Sequence, residues 1–218
     1  MQRSVHGPRV VSVNVGEPRT VAWHGHAVTT AIWKEPLAGP VRVEGVNLAG
    51  DDQADRRVHG GADKAVYSYA MEDYRWWDTP GGPPTPGTFG ENLTTAGIDL
   101  GKCRIGDRWH VGSAVLEVSQ PRSPCFKLGI RMADDDFPLK FLEAGRPGAY
   151  LRIIDPGEIV AGDAIEVRPT HLPAVSVGSL GAEEIETDVL ELAAVDARVP
   201  EGWRRSAARA LKAAAPEV

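Results

Sequence analysis

The density and spacing of chain breakers constrain this sequence most. Its 218 residues include 24 glycines and 17 prolines, well above the roughly 12% that the two types average together. They fall between short alternating apolar segments, so long helices have little room and short strands joined by turns are the economical reading. VVSVNV (10–15) and VRVEGV (41–46) are rich in β-branched residues and bounded by Gly or Pro, and both read as strands. KAVYSYA (64–70) reads as another, running into EDYRWWD (72–78), whose aromatics suit a short helix on a sheet. PGGPPTPG (80–87) is a loop. RIGDRWHV (104–111) and VAGDAIEV (160–167) each place Gly-Asp at a turn before alternating apolar positions, as two hairpins of one barrel would. Between them, PLKFLEAG (138–145) reads as a short helix.

The pattern changes after Pro173. EEIETDVLELAA (183–194) is acidic and helical in period, and residues 200–212 open with a proline at the first helical position and carry Trp203, Ala207, Ala210 and Leu211 on one face. The expectation is a mainly β protein: a β-barrel domain with short helices over residues 1–170 and a small α-helical domain over 171–218. A net charge of −6, with no dense basic stripe, argues against a duplex nucleic acid partner. Two cysteines are too few for a disulfide scaffold, no basic stretch leads into an apolar one near Met1, and no apolar run approaches about 20 residues. These features predict a soluble, reduced, cytoplasmic protein with no membrane partner.

The segment SQPRSPCFKL (119–128) sets Cys125 among prolines and basic side chains. From Ser119 to Arg131 the charges are Arg122, Lys127 and Arg131, with no carboxylate, and three aspartates follow at 134–136. A free thiol of pKa ~8.5 is about 3% thiolate at pH 7, and lowering it by about 1.5 units takes roughly 2 kcal/mol. One cation at about 6 Å in an effective dielectric of ~20 supplies roughly that much. The thiolate is both nucleophile and soft metal ligand; the plainer alternative is a small buried hydrophobe. Cys103, at a turn leading into a strand, reads as structural. HGGADK (59–64) is either an anion-binding nest flanked by His59 and Lys64 or a bare turn. FGENLTT (89–95), with Asn92 and Thr94, and AIWKEP (31–36), with Lys34, carry polar groups that an ordinary loop and strand would also carry. The His24–His26 pair has no carboxylate or thiol beside it in sequence, so a metal site is not expected there.

Taken in order, SVNVGEPR (12–19), TAIWKEP (30–36), GDDQADRRVHGGADKAVYSY (50–69), GTFGENLT (87–94), IGDRWHVGSAVLEVSQPRSPCFKLGIR (105–131) and AGRPGAYLRI (144–153) resemble the MOSC domain (molybdenum cofactor sulfurase C-terminal domain), in its YiiM-like bacterial branch. The alanine-rich tail is similar to the small helical appendage of that branch. The resemblance implies a β-barrel that binds the molybdenum cofactor, molybdopterin with Mo, with Cys125 as metal ligand and catalytic residue. It also implies Lys34 and Lys64 at the cofactor phosphate, Asn92 and Thr94 in the element beside the pterin, and His59, Arg122 and Lys127 completing the electropositive surroundings. Asp63 and Glu91 lie in the same motifs without an assigned role. The implied activity is reduction of N-hydroxylated compounds, including hydroxylaminopurine-type base analogues. The sequence has no flavin fingerprint or iron–sulfur cysteine set, so electrons would come from a separate flavin reductase. Two other readings stay open: a carrier that holds the cofactor without turnover, and a metal-free thiol enzyme using Cys125 with His59. The aromatics of YRWW serve a homodimer contact or the core.

Overall fold

The structure, a computed structural model, describes residues 7–55, 60–77, 82–171 and 173–214. In Arg9–Val15 (β1) a shift of register between Val10 and Ser12 lets Val10 and Val13, three residues apart, both lie inside. The hairpin Arg19–Trp23 (β2) and His26–Thr30 (β3) stands apart as a two-stranded sheet. Glu35–Pro36 (β4), Val41–Glu44 (β5) and Asn47–Leu48 (β6) are short. Val66–Ala70 (β7), Leu93–Ala96 (β8), Arg108–Val111 (β9), Ala114–Pro121 (β10), Ala149–Asp155 (β11), Gly157–Ile159 (β12) and Ile165–Arg168 (β13) follow.

The main sheet runs β13-β9-β10-β11-β7-β8-β1-β4, and β12-β5-β6 form a second. Within the main sheet, β7 and β8 pair parallel and the other neighbours antiparallel. The two Gly-Asp segments prove to be partners: Val167 lies opposite Trp109 and Ile165 opposite Val111. Val41, Val43 and Ile159 of the smaller sheet pack with Trp109, Leu116, Val118 and Leu151 of the larger in one core.

The expected barrel does not close. The ladder ends at β13 on one side and at β4 on the other. The start of β1 meets the turn before β13 through Val10 N to Asp163 O (2.9 Å), Gly162 N to Val10 O (2.9 Å) and Ile165 N to Pro8 O (2.8 Å). That corner is an isolated bridge, Arg9 opposite Ala164, and not a ladder. At the opposite edge β4 is two residues ending in Pro36, whose missing N–H cannot extend a ladder.

Met71–Tyr74 (α1) is a single turn, shorter than the sequence suggested. Tyr74 and Trp77 join Tyr69, Phe89, Phe137 and Phe141 in a buried aromatic cluster. Trp76 is 60% exposed and lies against the Arg146 guanidinium at 4.6 Å. Phe126–Met132 (α2), not expected from sequence, and Phe137–Glu143 (α3), expected, pack beneath that cluster. Val177–Leu180 (α4), Thr187–Val195 (α5) and Glu201–Ala214 (α6) form a third core from Val175, Leu180, Ala193, Val199 and Ala207, with Ile105 contributed by the chain before β9. Strand residues outnumber helical ones.

Candidate functional site

Proline ends β10 at Pro121 and Pro124 precedes the next helix. Between them the chain cannot continue a ladder or begin a helix early. It therefore crosses in extended form and delivers Cys125 (φ −135°, ψ 166°) as the residue before α2, its carbonyl accepting from Leu128 N at 2.9 Å. The thiol is free and half-buried. It opens onto a cleft between the β3–β4 connection, residues 51–55, β7 and the Gly90 turn.

Six of the sequence-predicted residues line this cleft: Lys34, Lys64, Asn92, Arg122, Cys125 and Lys127. Arg122 is largely buried. One of its amino groups donates to the Phe89 carbonyl, and its guanidinium sits 4.9 Å from the Tyr67 ring centre. Arg122 and Lys64 both lie within electrostatic reach of the Cys125 sulfur. Burial pushes the Lys64 ammonium below its ordinary value, against the opposing pull of Asp63 and Cys125. Arg131, the third cation of the motif, is not on the cleft lining. It sits half-buried within the field of Arg19, and burial and that neighbour push it down.

Lys34 is held from below. Its side chain is 8% exposed and pairs with Asp51, which is 1% exposed. Asp51 also accepts from Gly16 N (2.8 Å) and from the Asn92 amide (2.9 Å). Burial pushes the Lys34 ammonium down while Asp51 opposes the shift. Gly87, at φ 86°, brings its backbone so close to the Lys34 carbonyl that a Cβ there would collide with it. Asn92 is fully committed: its amide donates to Asp51 and to Asn14 O (3.3 Å), and its oxygen accepts from Tyr67 N (3.1 Å). It fixes the floor rather than presenting free donors.

Thr94 does not reach the cleft lining. It lies behind the floor, donating to Glu91 (2.7 Å) and accepting from the Asn14 amide (3.0 Å). Glu91 is the hub there, accepting from Gly87 N (2.6 Å), Phe89 N (3.1 Å), Thr94 and the Tyr74 hydroxyl. Burial pushes the Glu91 carboxyl up, with these donors pulling the other way, and burial beside Glu91 pushes the Tyr74 phenol up as well. Asp63 pairs with Arg152 at 2.5 Å, away from the cleft. His59 lies outside the described residues. His24 has a carboxylate after all: Asp135, distant in sequence, meets its Nε2 at 2.9 Å on the surface. Among the described residues no three His, Cys, Asp or Glu side chains converge as a metal site would require.

Sequence reasoning missed Asp51, Tyr67 and Tyr150, which also line the cleft. All three fall inside quoted motifs, so the signal was present, but their roles depend on partners that only the fold brings together.

This geometry can be set beside known proteins. The MOSC domain profile matches residues 55–166. An uncharacterized protein, YflK, of Bacillus subtilis (strain 168) is 35% identical over 203 residues, covering 90% of this chain and 91% of that protein. The chain belongs to the MOSC domain family. The crystal structure of YiiM from Geobacillus stearothermophilus superposes on this MOSC protein with a TM-score of 0.75 at 30% identity, covering 94% of this chain and 99% of the other. A protein named "Reductase" from Gibberella moniliformis (strain M3125 / FGSC 7600) is 36% identical over 159 residues, 70% of this chain but 28% of that longer protein. Among the described residues no helix is long and apolar enough to cross a membrane.

Proposed function

We propose that this MOSC protein is a molybdenum-cofactor-dependent reductase of N-hydroxylated compounds, supplied with electrons by a separate flavin reductase. The observation that carries the reading is one soft thiol, Cys125, sharing a cleft with Lys34, Lys64, Arg122 and Lys127. A metal held by protein alone needs three or four side-chain ligands. Among the described residues Cys125 has no such companions, so a metal bound here would bring its other ligands with it. A metal complex carrying sulfur ligands and a phosphate fits that requirement, and membership of the MOSC family, together with the fungal relative's name, supports it.

Cys125 would be the protein ligand. Lys34, tethered by Asp51, and Lys64 would neutralise the phosphate, and an arriving anion would offset the burial that pushes both ammonium groups down. Arg122, fixed by the Phe89 carbonyl and the Tyr67 ring, would hold positive potential beside the sulfur. Lys127 would extend the basic rim. When bound, the cofactor would supply a metal able to take oxygen and exchange two electrons. In the overall reaction the N–O bond breaks, two electrons arrive from the donor, one proton goes to nitrogen and one to oxygen, and water leaves.

The test mixes wild type and Cys125→Ser with freshly released cofactor, desalts both, and measures molybdenum per chain and reduction of hydroxylaminopurine with a flavin reductase. Stoichiometric metal and turnover on wild type alone supports the reading. Metal without turnover by any donor would make the protein a carrier. Equal retention on both chains would remove Cys125 from the metal.

A further inference from the structure

The reaction proposed above needs a group that tells an N–OH oxygen from the bare amine of the product. A buried site discriminates strongly when it offers a donor that the wrong ligand leaves unpaired. Two of the neutral donors on the cleft wall are already spent. Asn92 uses both amide hydrogens on Asp51 and Asn14, and the Tyr67 hydroxyl donates to the Pro147 carbonyl at 2.9 Å. One amino group of Arg122 is taken by the Phe89 carbonyl.

Tyr150 differs. It lines the same cleft as Cys125. Its register on β11, opposite Tyr67 on β7 and Gln120 on β10, sets it on the face away from the Ala149 and Leu151 core. Its ring packs on Tyr67 with centroids 5.0 Å apart. Gly148, at φ 65°, permits the approach: a Cβ there would collide with the Ser68 carbonyl and the Tyr67 hydroxyl. The ring is thus fixed on its packed side. Its phenol lies within electrostatic reach of both Arg122 and the Cys125 sulfur, and among the described residues the hydroxyl has no hydrogen-bond partner.

We infer that the Tyr150 hydroxyl donates the hydrogen bond that recognises the N–OH oxygen of the substrate beside Cys125, and so makes the cleft prefer N-hydroxylated ligands to their reduced products. Burial pushes this phenol above its ordinary value, with Arg122 opposing, so the group keeps its proton through the neutral range. The inference rests on the proposed reaction for its choice of ligand and on the geometry for its choice of residue.

Binding without turnover tests it. Calorimetry on cofactor-loaded protein, with no electron donor present, compares hydroxylaminopurine with adenine. Wild type is expected to bind the hydroxylated base about tenfold more tightly, as one well-made hydrogen bond allows. Tyr150→Phe keeps the ring on Tyr67 and is expected to retain molybdenum and melt as wild type does, while binding the two bases equally. A preference unchanged in Tyr150→Phe, or absent from wild type, overturns the inference. So does loss of molybdenum from that variant, which would make Tyr150 part of cofactor retention. If the preference is present in wild type and lost in Tyr150→Phe, yet no donor supports reduction, the inference stands and the proposed reaction fails.

Discussion

The two cysteines of this chain occupy opposite environments, and neither is fixed by its nearest sequence neighbours. Cys103 follows Lys102 and precedes Arg104, a setting as basic as that of Cys125. In the fold it is 6% exposed and packed with Leu100, Val118 and Val177, its sulfur directed at the Asp99 carbonyl at 3.6 Å. Lys102 turns outward to Asp99. Burial, with Asp107 and Asp99 adding to it, pushes the Cys103 thiol up to about 12. Cys125 is half-buried on a cleft wall that also carries Lys64, Arg122 and Lys127. Flanking charges in sequence say little about a thiol. What matters is whether the backbone aims those charges and the sulfur at the same space.

Cys125→Ser puts the contrast to its hardest test. It is expected to lose molybdenum retention and to reduce hydroxylaminopurine at least about a hundredfold more slowly, since an oxygen replaces the soft ligand, while the melting temperature stays near that of wild type. Retained metal and activity would break the comparison. Iodoacetamide sharpens it next. In the native protein at pH 8, peptide mapping is expected to find Cys125 alkylated and Cys103 protected by about a hundredfold or more, because Cys103 is reached only through unfolding. Equal labelling would show that Cys103 is not enclosed.

Cys103→Ser is the smaller, structural counterpart. A hydroxyl in that apolar site is expected to cost roughly 1–3 kcal/mol in a urea titration, with molybdenum retention unchanged. A loss of metal with normal stability would contradict the division of roles. The smallest effect is on pH dependence. The folded thiol value of about 12 stands above the ordinary 9.0, so the native state keeps a proton that the unfolded chain releases. The stability this contributes is fully present below about pH 9 and is lost as pH rises towards 12, by at most about 1.4 kcal/mol per pH unit. Comparing wild type with Cys103→Val between pH 8 and 11 isolates that component. Parallel curves would remove it.

Much of this architecture could be read in the chain, and the parts that could not share one cause. Period-two segments located β1, β5 and β7, and the Gly-Asp turns located β9 and β13, because those signals are local. The helix over 137–143 announced itself similarly. The parallel pairing of β7 with β8 was not legible: Leu93–Ala96 follows a polar turn and looks like loop until Ser68 lies opposite Leu93. Closure of the barrel was expected from the hairpin pattern as well as from the resemblance, and the two-residue β4 ending at Pro36 does not supply it. At the site, Cys125 and Arg122 stood out through local charge and proline spacing. Asp51 did not, because its meaning comes from Lys34, Asn92 and Gly16, which are distant in sequence. Tyr150 did not, because an unpaired hydroxyl cannot be recognised until every neighbour's partners are known. Asp135 beside His24 shows the same blindness at the surface.

The parallel strand pair carries a consequence for how the molecule assembles. Antiparallel neighbours can zip outward from a tight turn, but β7 and β8 cannot, since residues 71–92 must first travel from the end of one strand to the start of the other. That crossover holds Tyr74, Trp77, Phe89 and Glu91, the material of the aromatic cluster and of the hub beneath the cleft. Closing so long a loop costs entropy that is recovered only when those side chains pack. Tyr67 and Asn92 come into register only when β8 docks beside β7. The cleft floor therefore cannot exist before β8 docks, and a chain arrested short of that step would carry its thiol, its lysines and its arginine with no surface on which to bring them together.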